Sequence, residues 1–250
     1  MPESPSPSPS PSESERESES PSESQITSGS VPSSLATSAT PATPTSLADR
    51  RRAAIAGHTG DIDTARSLLD HADPRVRATA LGALNRAGGL EPVELRRALT
   101  DPDISVRRRA GEETARWHGA DELPEALPRE LAEALTDLLF DQDDTVVEVA
   151  AWACGECPPA TERAFERLLS IATDHDDALC RESAVAALGA LSDVRALPTI
   201  LRATTDRATV RRRAIIALAP FDGPEVDEAL ERARSDRDWQ VRQAAEDLSS

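Results

Sequence analysis

One arrangement of polar and apolar positions recurs six times along the chain. A Val or Cys is followed by Ala four positions later in all six copies, and by Ala-Leu or Ala-Cys seven and eight positions later in four of them. In five of the six copies an Asp precedes it by three. The Val or Cys is taken as position 0 of its repeat, and these residues are Val76, Val106, Val146, Cys180, Val210 and Val241. Positions 0, +4, +7 and +8 share one face of an α-helix. Each copy therefore predicts an amphipathic helix with one buried face, and the Asp stands where a helix N-cap is wanted.

A second apolar-periodic segment precedes each of these helices. The six segments are 62–71, 92–101, 129–140, 162–172, 195–205 and 225–234. Self-similarity at intervals of 30 to 40 residues is typical of a solenoid. The sequence predicts an all-α fold, a right-handed α-solenoid of about six helix pairs behind a helical cap at 46–57. The predicted repeats span about 60–89, 90–119, 120–157, 158–190, 191–221 and 222–250.

The first 45 residues differ in composition from the rest of the chain. They are almost entirely Ser, Pro, Thr, Ala and Glu, with runs such as PSPSPSPS and ESERESES. A segment this poor in large apolar residues cannot offset its ordering entropy, so we expect a disordered tail. It would serve as a solubilising spacer or as a phosphorylated regulatory tail that folds back onto arginines of the solenoid.

The repeated pattern Asp-x-x-Val-Arg-x-x-Ala-x-x-Ala-Leu-Gly resembles the HEAT repeat over residues 47–248, and its short period is similar to the phycobilisome lyase-like subgroup. The resemblance implies an armadillo-like superhelix that acts as a protein-binding scaffold. It also implies a ladder in which the Arg at +1 pairs with an Asp of a neighbouring repeat. The expected ladder residues are Asp73, Arg77, Asp103, Arg107, Asp177, Arg181, Arg211, Asp238 and Arg242. Val147 replaces the Arg in the third repeat, so the ladder should be interrupted there.

A candidate binding face lies opposite the buried helix face. At about 100° per residue, positions +2, +6 and +9 point away from it, and in HEAT-like solenoids they would line the concave surface. The candidate residues are Trp152, Ala186 and Ile216 at +6, and Arg108, Glu148, Glu182 and Arg212 at +2. A Trp and an Ile on a face that should be wet indicate a binding patch. The alternative is that Trp152 packs sideways into a neighbouring helix.

Composition narrows the possible functions. The net charge is −17, which disfavours nucleic acid, although the triplets Arg50–Arg52, Arg107–Arg109 and Arg211–Arg213 keep that alternative open. No catalytic motif is present, so a lyase-type enzyme is the lower alternative. Cys154, Cys157 and Cys180 are too few for a four-ligand zinc site and are expected to be packed or solvent-exposed thiols, with a redox or metal pair as the alternative and no metal or cofactor predicted.

The same composition bears on location and source. Three cysteines suit a reducing compartment, and there is neither a signal peptide nor an apolar run long enough to span a membrane. All basic residues are Arg in an Ala-rich chain, which suggests a bacterial genome of high GC content. We expect a cytoplasmic, non-enzymatic scaffold that binds a protein partner.

Overall fold

The computed structural model describes residues 44–117, 127–157 and 160–248. In this part of the chain there are thirteen α-helices, one short 3-10 helix and no strand, so the predicted all-α class is confirmed. The region from Pro41 onward forms one compact unit. The predicted tail lies outside the described residues except at its last positions, where the first helix already begins.

The helices follow the predicted order of a cap and six pairs. They are α1 (Pro44–Thr59), then α2 (Ile62–Ser67) with α3 (Pro74–Arg86), α4 (Pro92–Leu99) with α5 (Ile104–Ala115), α6 (Arg129–Leu138) with α7 (Asp144–Glu156), α8 (Glu162–Asp174) with α9 (Ala178–Leu191), α10 (Leu197–Ala203) with α11 (Ala208–Ala217), and α12 (Pro224–Ala233) with α13 (Trp239–Asp247). The 3-10 turn Val194–Ala196 leads into α10. Each pair is one repeat, and the second helix of each pair carries the recurring motif.

Aspartates begin most of the second helices. Five Asp residues at position −3 accept a hydrogen bond from a backbone N–H two residues later, at distances of 2.7 to 3.0 Å. They are Asp73, Asp103, Asp143, Asp177 and Asp238. Such a cap satisfies one of the free N–H groups of the first turn and contributes about 1 kcal/mol. In the fifth repeat Arg207 occupies this position and makes no side-chain cap.

Small residues bring consecutive second helices close together. A Cβ on Gly57, Gly155 or Gly189 would lie 2.7 to 2.9 Å from the Cα of an Ala in the next second helix, which is too close for a real contact. Each of these glycines occupies position +9, and the Ala it meets occupies position +7 of the following repeat. We call this contact the joint between two repeats. At these three joints the second helices are tightly packed, and the close contact requires Gly at +9.

The core runs through the whole stack and consists mainly of Ala, Leu and Val. Positions 0, +4 and +8 are 0–1% exposed in the first and fifth repeats, for example Val76, Leu84, Val210 and Leu218. The second repeat departs from this pattern, since Glu113 and Thr114 occupy +7 and +8 and are nevertheless buried. Among the described helices none is both long and apolar enough to cross a membrane.

Candidate functional site

The second helices leave one side uncovered, and its residues follow from the packing. Positions 0, +4 and +8 are buried in the core, and +9 faces the joint with the next repeat. Positions +2, +6 and +10 are half-buried or exposed in all five helices from α3 to α11, and we call the surface they form the open face. The prediction was right to include +2 and +6 but wrong to include +9, because Gly155 and Gly189 are pressed against the next helix. Periodicity alone does not separate +9 from +10, since both lie far from the apolar seam.

An apolar row occupies position +6 in three consecutive repeats. Ile216 is 37% exposed, and Ala186 is half-buried between it and Trp152 in the register of the repeat. Trp152 is half-buried and packs against the core. The guanidinium carbon of Arg116 lies 5.4 Å from the centroid of its ring, a cation–π geometry. Trp152 thus combines both alternatives, since part of the ring packs inward and part contributes to the open face.

Charged side chains surround this row. Glu148 is half-buried and has no ion-pair partner in the described part of the chain. The carboxylate of Glu182 lies 3.5 Å from Arg213 Nη2. Arg212 is half-buried and makes no ion pair within the described residues. Beside the apolar row lie the carboxylates of Glu148 and Glu182, and the guanidinium groups of Arg116, Arg212 and Arg213 lie around them.

The second and third arginine triplets do not form a basic strip. Arg107 and Arg211 bind aspartates between repeats. Arg108 and Arg109 lie 3.5 and 2.9 Å from carboxylate oxygens of Glu112, and Arg108 is half exposed. Arg213 faces Glu182. Most of these cations are neutralised by neighbours, so they favour nucleic-acid binding less than the sequence alone did.

The predicted arginine ladder exists, but its acids are not the predicted ones. Four arginines at +1 each bind an Asp that immediately precedes the next second helix, through two parallel hydrogen bonds of 2.7 to 3.0 Å. The pairs are Arg77–Asp101, Arg107–Asp141, Arg181–Asp206 and Arg211–Asp236. We call each pair a rung. Asp73, Asp103, Asp177 and Asp238 are excluded from the rungs because their side chains already accept the N-cap hydrogen bonds.

Each rung ties two inter-helix turns together. The same guanidinium donates to backbone carbonyls of its own turn, as Arg181 does to the carbonyl of His175 at 2.7 Å. The acid in turn accepts from the N–H of the following cap residue, as Asp236 does from Asp238 at 2.8 Å. The hydrogen bonds from Arg181 and Arg211 hold the pKa values of Asp206 and Asp236 below their usual range. Arg242, in the last repeat, donates to the backbone carbonyls of Asp236 and Arg237 in its own turn.

Two positions along the ladder carry a histidine in place of the acid. His175 occupies the place of the rung Asp opposite Val147, and its Nδ1 accepts from the N–H of Asp177 at 3.1 Å, as an Asp would. His71 accepts from Asp73 in the same way and places Nε2 3.2 Å from Asp49 of α1. The ladder is interrupted at Val147, and the residue across the joint differs as well, because His175 stands where the rungs have Asp. The sequence signal for the true acids was available, because Asp101, Asp141 and Asp236 each stand two residues before a capping Asp.

The comparisons with known proteins bear on this architecture. A family model described as HEAT repeats matches residues 93–189 and 165–249, which together cover more than half of the chain. The chain belongs to the HEAT repeat family. The model is not specific to the phycobilisome lyase-like subgroup, so that assignment of this HEAT-repeat chain stays a prediction. A search of curated proteins gave no match.

Solved structures share the fold of this HEAT-repeat chain at low identity. An engineered protein, structural genomics target OR329, is 21% identical with a TM-score of 0.54, over 75% of this chain and 94% of its own. A designed armadillo repeat protein in complex with the peptide (KR)4 is 20% identical with a TM-score of 0.55, over 76% and 98%. Human deoxyhypusine hydroxylase in complex with glycerol is 22% identical over 81% and 78%, with a TM-score of 0.42. At these identities the likeness is one of fold.

The cysteines of the HEAT repeats are packed thiols. Cys154 and Cys180 are buried, and Cys180 Sγ lies 3.2 Å from the carbonyl oxygen of Asp144. Burial raises the pKa to about 12 for Cys154, about 11 for Cys157 and about 12 for Cys180. A thiol with such a pKa carries almost no thiolate at neutral pH, which disfavours a nucleophilic or redox role. Within the described residues no three His, Cys, Asp or Glu side chains gather into a metal-binding group, and His118 lies outside them.

Proposed function

We propose that this HEAT-repeat chain is a non-enzymatic scaffold that binds an extended segment of a partner protein along its open face. The observation that carries the proposal is the row of Trp152, Ala186 and Ile216, which runs across three packed second helices beside Glu148, a carboxylate with no ion-pair partner among the described residues. Apolar side chains on an otherwise polar face are typical of an interaction site, and Trp is enriched at binding hot spots.

The charges around the row favour a partner segment that is apolar and basic. Glu148 is not neutralised by a neighbour in the described part of the chain, and Glu156 is exposed at +10 of the same helix. A basic segment would pair with these carboxylates, and its apolar side chain would cover Ile216. The designed armadillo repeat protein solved with the peptide (KR)4 shows that this kind of fold can hold a basic peptide.

A peptide-display selection against the full chain tests the proposal. Peptides that bind should be enriched in Arg or Lys beside a large apolar residue. Their affinity should fall at least about 10-fold for Ile216→Asp and for Trp152→Ala, because about 1.4 kcal/mol of contact is lost.

Trp239→Ala is the matched control, because Trp239 is 64% exposed at the start of α13 and lies outside the open face. Ile216→Asp should leave the fold intact, because the side chain of Ile216 is already exposed. Circular dichroism of each variant checks that it is folded. Peptides that bind both open-face variants as tightly as the wild type would contradict the site. A selection that yields only acidic peptides would contradict the expected partner chemistry.

A further inference from the structure

A pocket of about 590 Å³ opens on the open face between α3 and α5. Three arginines, a carboxylate, an amide and an indole ring are among the groups that line it, and they belong to Arg86, Arg109, Arg116, Glu113, Asn85 and Trp117. The volume falls in the range of roughly 300 to 1,000 Å³ that is usual for ligand pockets. The pocket lies one helix away from Trp152, the first residue of the apolar row.

The sequence of this joint explains why the space is open. Three other joints close because Gly at +9 meets Ala at +7 of the next repeat. Here Asn85 stands at +9 and Glu113 at +7, so two polar side chains take the place of that contact. Position +6 of α3 is Gly82, whereas the following repeats carry Glu, Trp, Ala and Ile there. A Cβ at Gly82 would lie 3.0 Å from Glu113 Oε1, so a larger residue at this position would reduce the pocket.

The acid inside the pocket is already neutralised. Glu113 is buried, and its carboxylate accepts from Asn85 Nδ2 at 2.7 Å and from Arg109 Nη1 at 3.2 Å. Arg109 Nη1 also lies 2.9 Å from a carboxylate oxygen of Glu112. Glu113 and Arg109 therefore satisfy each other, and neither is a group that needs a ligand.

Two arginines of the pocket have no acid beside them. Arg86 and Arg116 are exposed and make no ion pair within the described residues. The guanidinium carbon of Arg116 lies 5.4 Å from the centroid of the Trp152 ring, and its Nη1 lies 3.4 Å from the carbonyl oxygen of Glu112. In a chain with a net charge of −17, two guanidinium groups without a counter-charge at one pocket favour an anionic ligand.

A carboxylate suits the pocket better than a phosphate group. Guanidinium groups bind both anions through parallel hydrogen bonds. Glu113 lines the pocket and Glu112 lies beside Arg109, so a ligand with two negative charges is repelled more strongly than a ligand with one. Arg116 also joins the pocket to the apolar row, because the same side chain lines the pocket and lies over Trp152. A carboxylate in the pocket and a segment on the row are thus neighbours.

We propose that this pocket binds a carboxylate of the partner segment, with Arg86 and Arg116 as its ligands. The inference rests on the proposed function and deepens it, because it gives the segment a direction: its acidic part lies between α3 and α5, and its apolar part covers Trp152 and Ile216. Neighbouring packed helices are roughly 8 to 10 Å apart, and an extended chain advances about 3.3 Å per residue. The carboxylate should therefore lie about three to five residues from the side chain that covers Trp152.

NMR of the indole N–H groups of the full chain tests the pocket itself. The probe is N-acetylglutamate α-amide, a capped Glu with one carboxylate, and N-acetylglutamine α-amide is the neutral control. Trp117 reports on the pocket that it lines, and its Nε1 donates to the carbonyl of Leu90 at 3.0 Å. Trp239, at the start of α13, lies outside the pocket and is the internal control. The signal of Trp117 should move and saturate with the Glu probe, and that of Trp239 should not move.

Removing the two arginines should abolish most of this binding. Arg86→Gln/Arg116→Gln should weaken the affinity for the Glu probe at least about 10-fold, because both guanidinium ligands are lost. Arg202→Gln is the matched control, since Arg202 is exposed on α10, outside the open face, and its loss should change nothing. The substituted side chains are exposed, so the variants should remain folded, which circular dichroism checks. Inorganic phosphate should bind the wild type more weakly than the Glu probe does.

The peptide-display selection against the full chain tests the link to the partner segment. Selected peptides should carry Glu, Asp or a C-terminal carboxylate at the expected spacing from their large apolar residue. Replacing that carboxylate by an amide should weaken binding at least about 10-fold to the wild type but less than about 2-fold to Arg86→Gln/Arg116→Gln.

Four results would overturn the proposal. The first is a Trp117 signal that does not respond to the Glu probe, or responds equally to the Gln probe. The second is unchanged affinity in Arg86→Gln/Arg116→Gln, and the third is tighter binding of phosphate, which would assign the pocket to a phosphate ligand. The fourth is a set of peptides that need Trp152 and Ile216 but carry no carboxylate at this spacing, which leaves the proposed function intact. A selection without any binding peptide would overturn the proposed function, and the carboxylate of a partner segment with it.

Discussion

Two joints between neighbouring repeats depart from the regular pattern in opposite ways. Between α3 and α5 the rung Arg77–Asp101 is present, but Asn85 and Glu113 replace the small residues of the joint, with Asn85 Nδ2 2.7 Å from Glu113 Oε2. Between α7 and α9 the joint is close-packed through Gly155, but Val147 and His175 stand in place of the rung. One joint keeps the ion pair and changes the packing, while the other keeps the packing and changes the ion pair.

In both joints the two sides have changed together. Glu113 is buried, and it is satisfied by Asn85 across the joint and by Arg109 at 3.2 Å. Val147 is 1% exposed, and the residue opposite it is a His rather than an Asp. A single change would have left a carboxylate with one partner fewer, which lowers the stability of the joint. The comparison indicates that a joint is specified by two residues that depend on each other.

The largest effect is expected from breaking an intact rung. Arg211 is 6% exposed and donates to both oxygens of Asp236 and to the carbonyl of Asp206. Arg211→Ala leaves a poorly hydrated carboxylate unpaired and should lower the free energy of unfolding by about 3 kcal/mol. Urea unfolding followed by circular dichroism measures this. Arg232→Ala is the control, because its pair with Glu228 is more than half exposed and should be worth less than about 1 kcal/mol.

The polar joint should show coupling between its two sides. Glu113→Ala removes the carboxylate acceptor of the Asn85 amide and leaves it the backbone carbonyl of residue 113 at 3.3 Å. Asn85→Ala leaves the buried carboxylate of Glu113 with Arg109 alone. Each should cost about 2 kcal/mol. The double variant resembles the regular joint and should cost at least about 1 kcal/mol less than the sum of the singles. Additive losses in the double-mutant cycle would show that the two residues are not a matched pair.

The reverse experiment introduces by substitution the rung that is missing between α7 and α9. Val147→Arg alone buries a guanidinium without an acid and should destabilise the chain, and His175→Asp alone should lower stability slightly. The double variant recreates the arrangement of Arg181 with Asp206, so a favourable coupling energy of about 1 to 2 kcal/mol is expected. Urea unfolding of the wild type, the two single variants and the double variant gives the coupling energy. A coupling near zero would mean that the geometry of this joint, and not its residues, excludes the rung.

The periodicity of the sequence was sufficient for the fold and for the helix order. Six copies in one register predicted the helix pairs, and the Asp at −3 predicted the N-caps. The acids of the rungs were assigned wrongly because two aspartates stand two residues apart in these turns, and the one nearer the helix caps it while the other faces the arginine. The hydrogen bonds of Asp101 and Asp103 show this division.

The open face was harder to predict than the core. Buried positions leave a strong apolar signal, but the residues around the uncovered side differ in sequence only by being polar or small. Gly189 at +9 and Arg116 at +10 lie far from the apolar seam on a helical wheel, yet one is buried in a joint and the other packs over Trp152. The distance between neighbouring second helices decides which of these two positions is buried, and this distance cannot be read from a single sequence.

The smallest expected effect is the change in unfolding free energy as the pH is lowered. It distinguishes the joints that have a rung from the joint between α7 and α9, which has none. The pKa of Asp206 is lowered by its hydrogen bonds from Arg181. A carboxyl group whose pKa is lower in the folded state stabilises the fold above its unfolded pKa of about 4 and loses this contribution as the pH falls through the lowered value.

The difference in unfolding free energy between wild type and Arg181→Ala should therefore shrink between pH 6 and pH 3. Val147→Ala, at the joint that has no such carboxylate, should give a difference that does not vary over this range. A constant difference for Arg181→Ala would show that the arginine stabilises its own turn through the carbonyls of His175 and Asp176 more than it stabilises the joint.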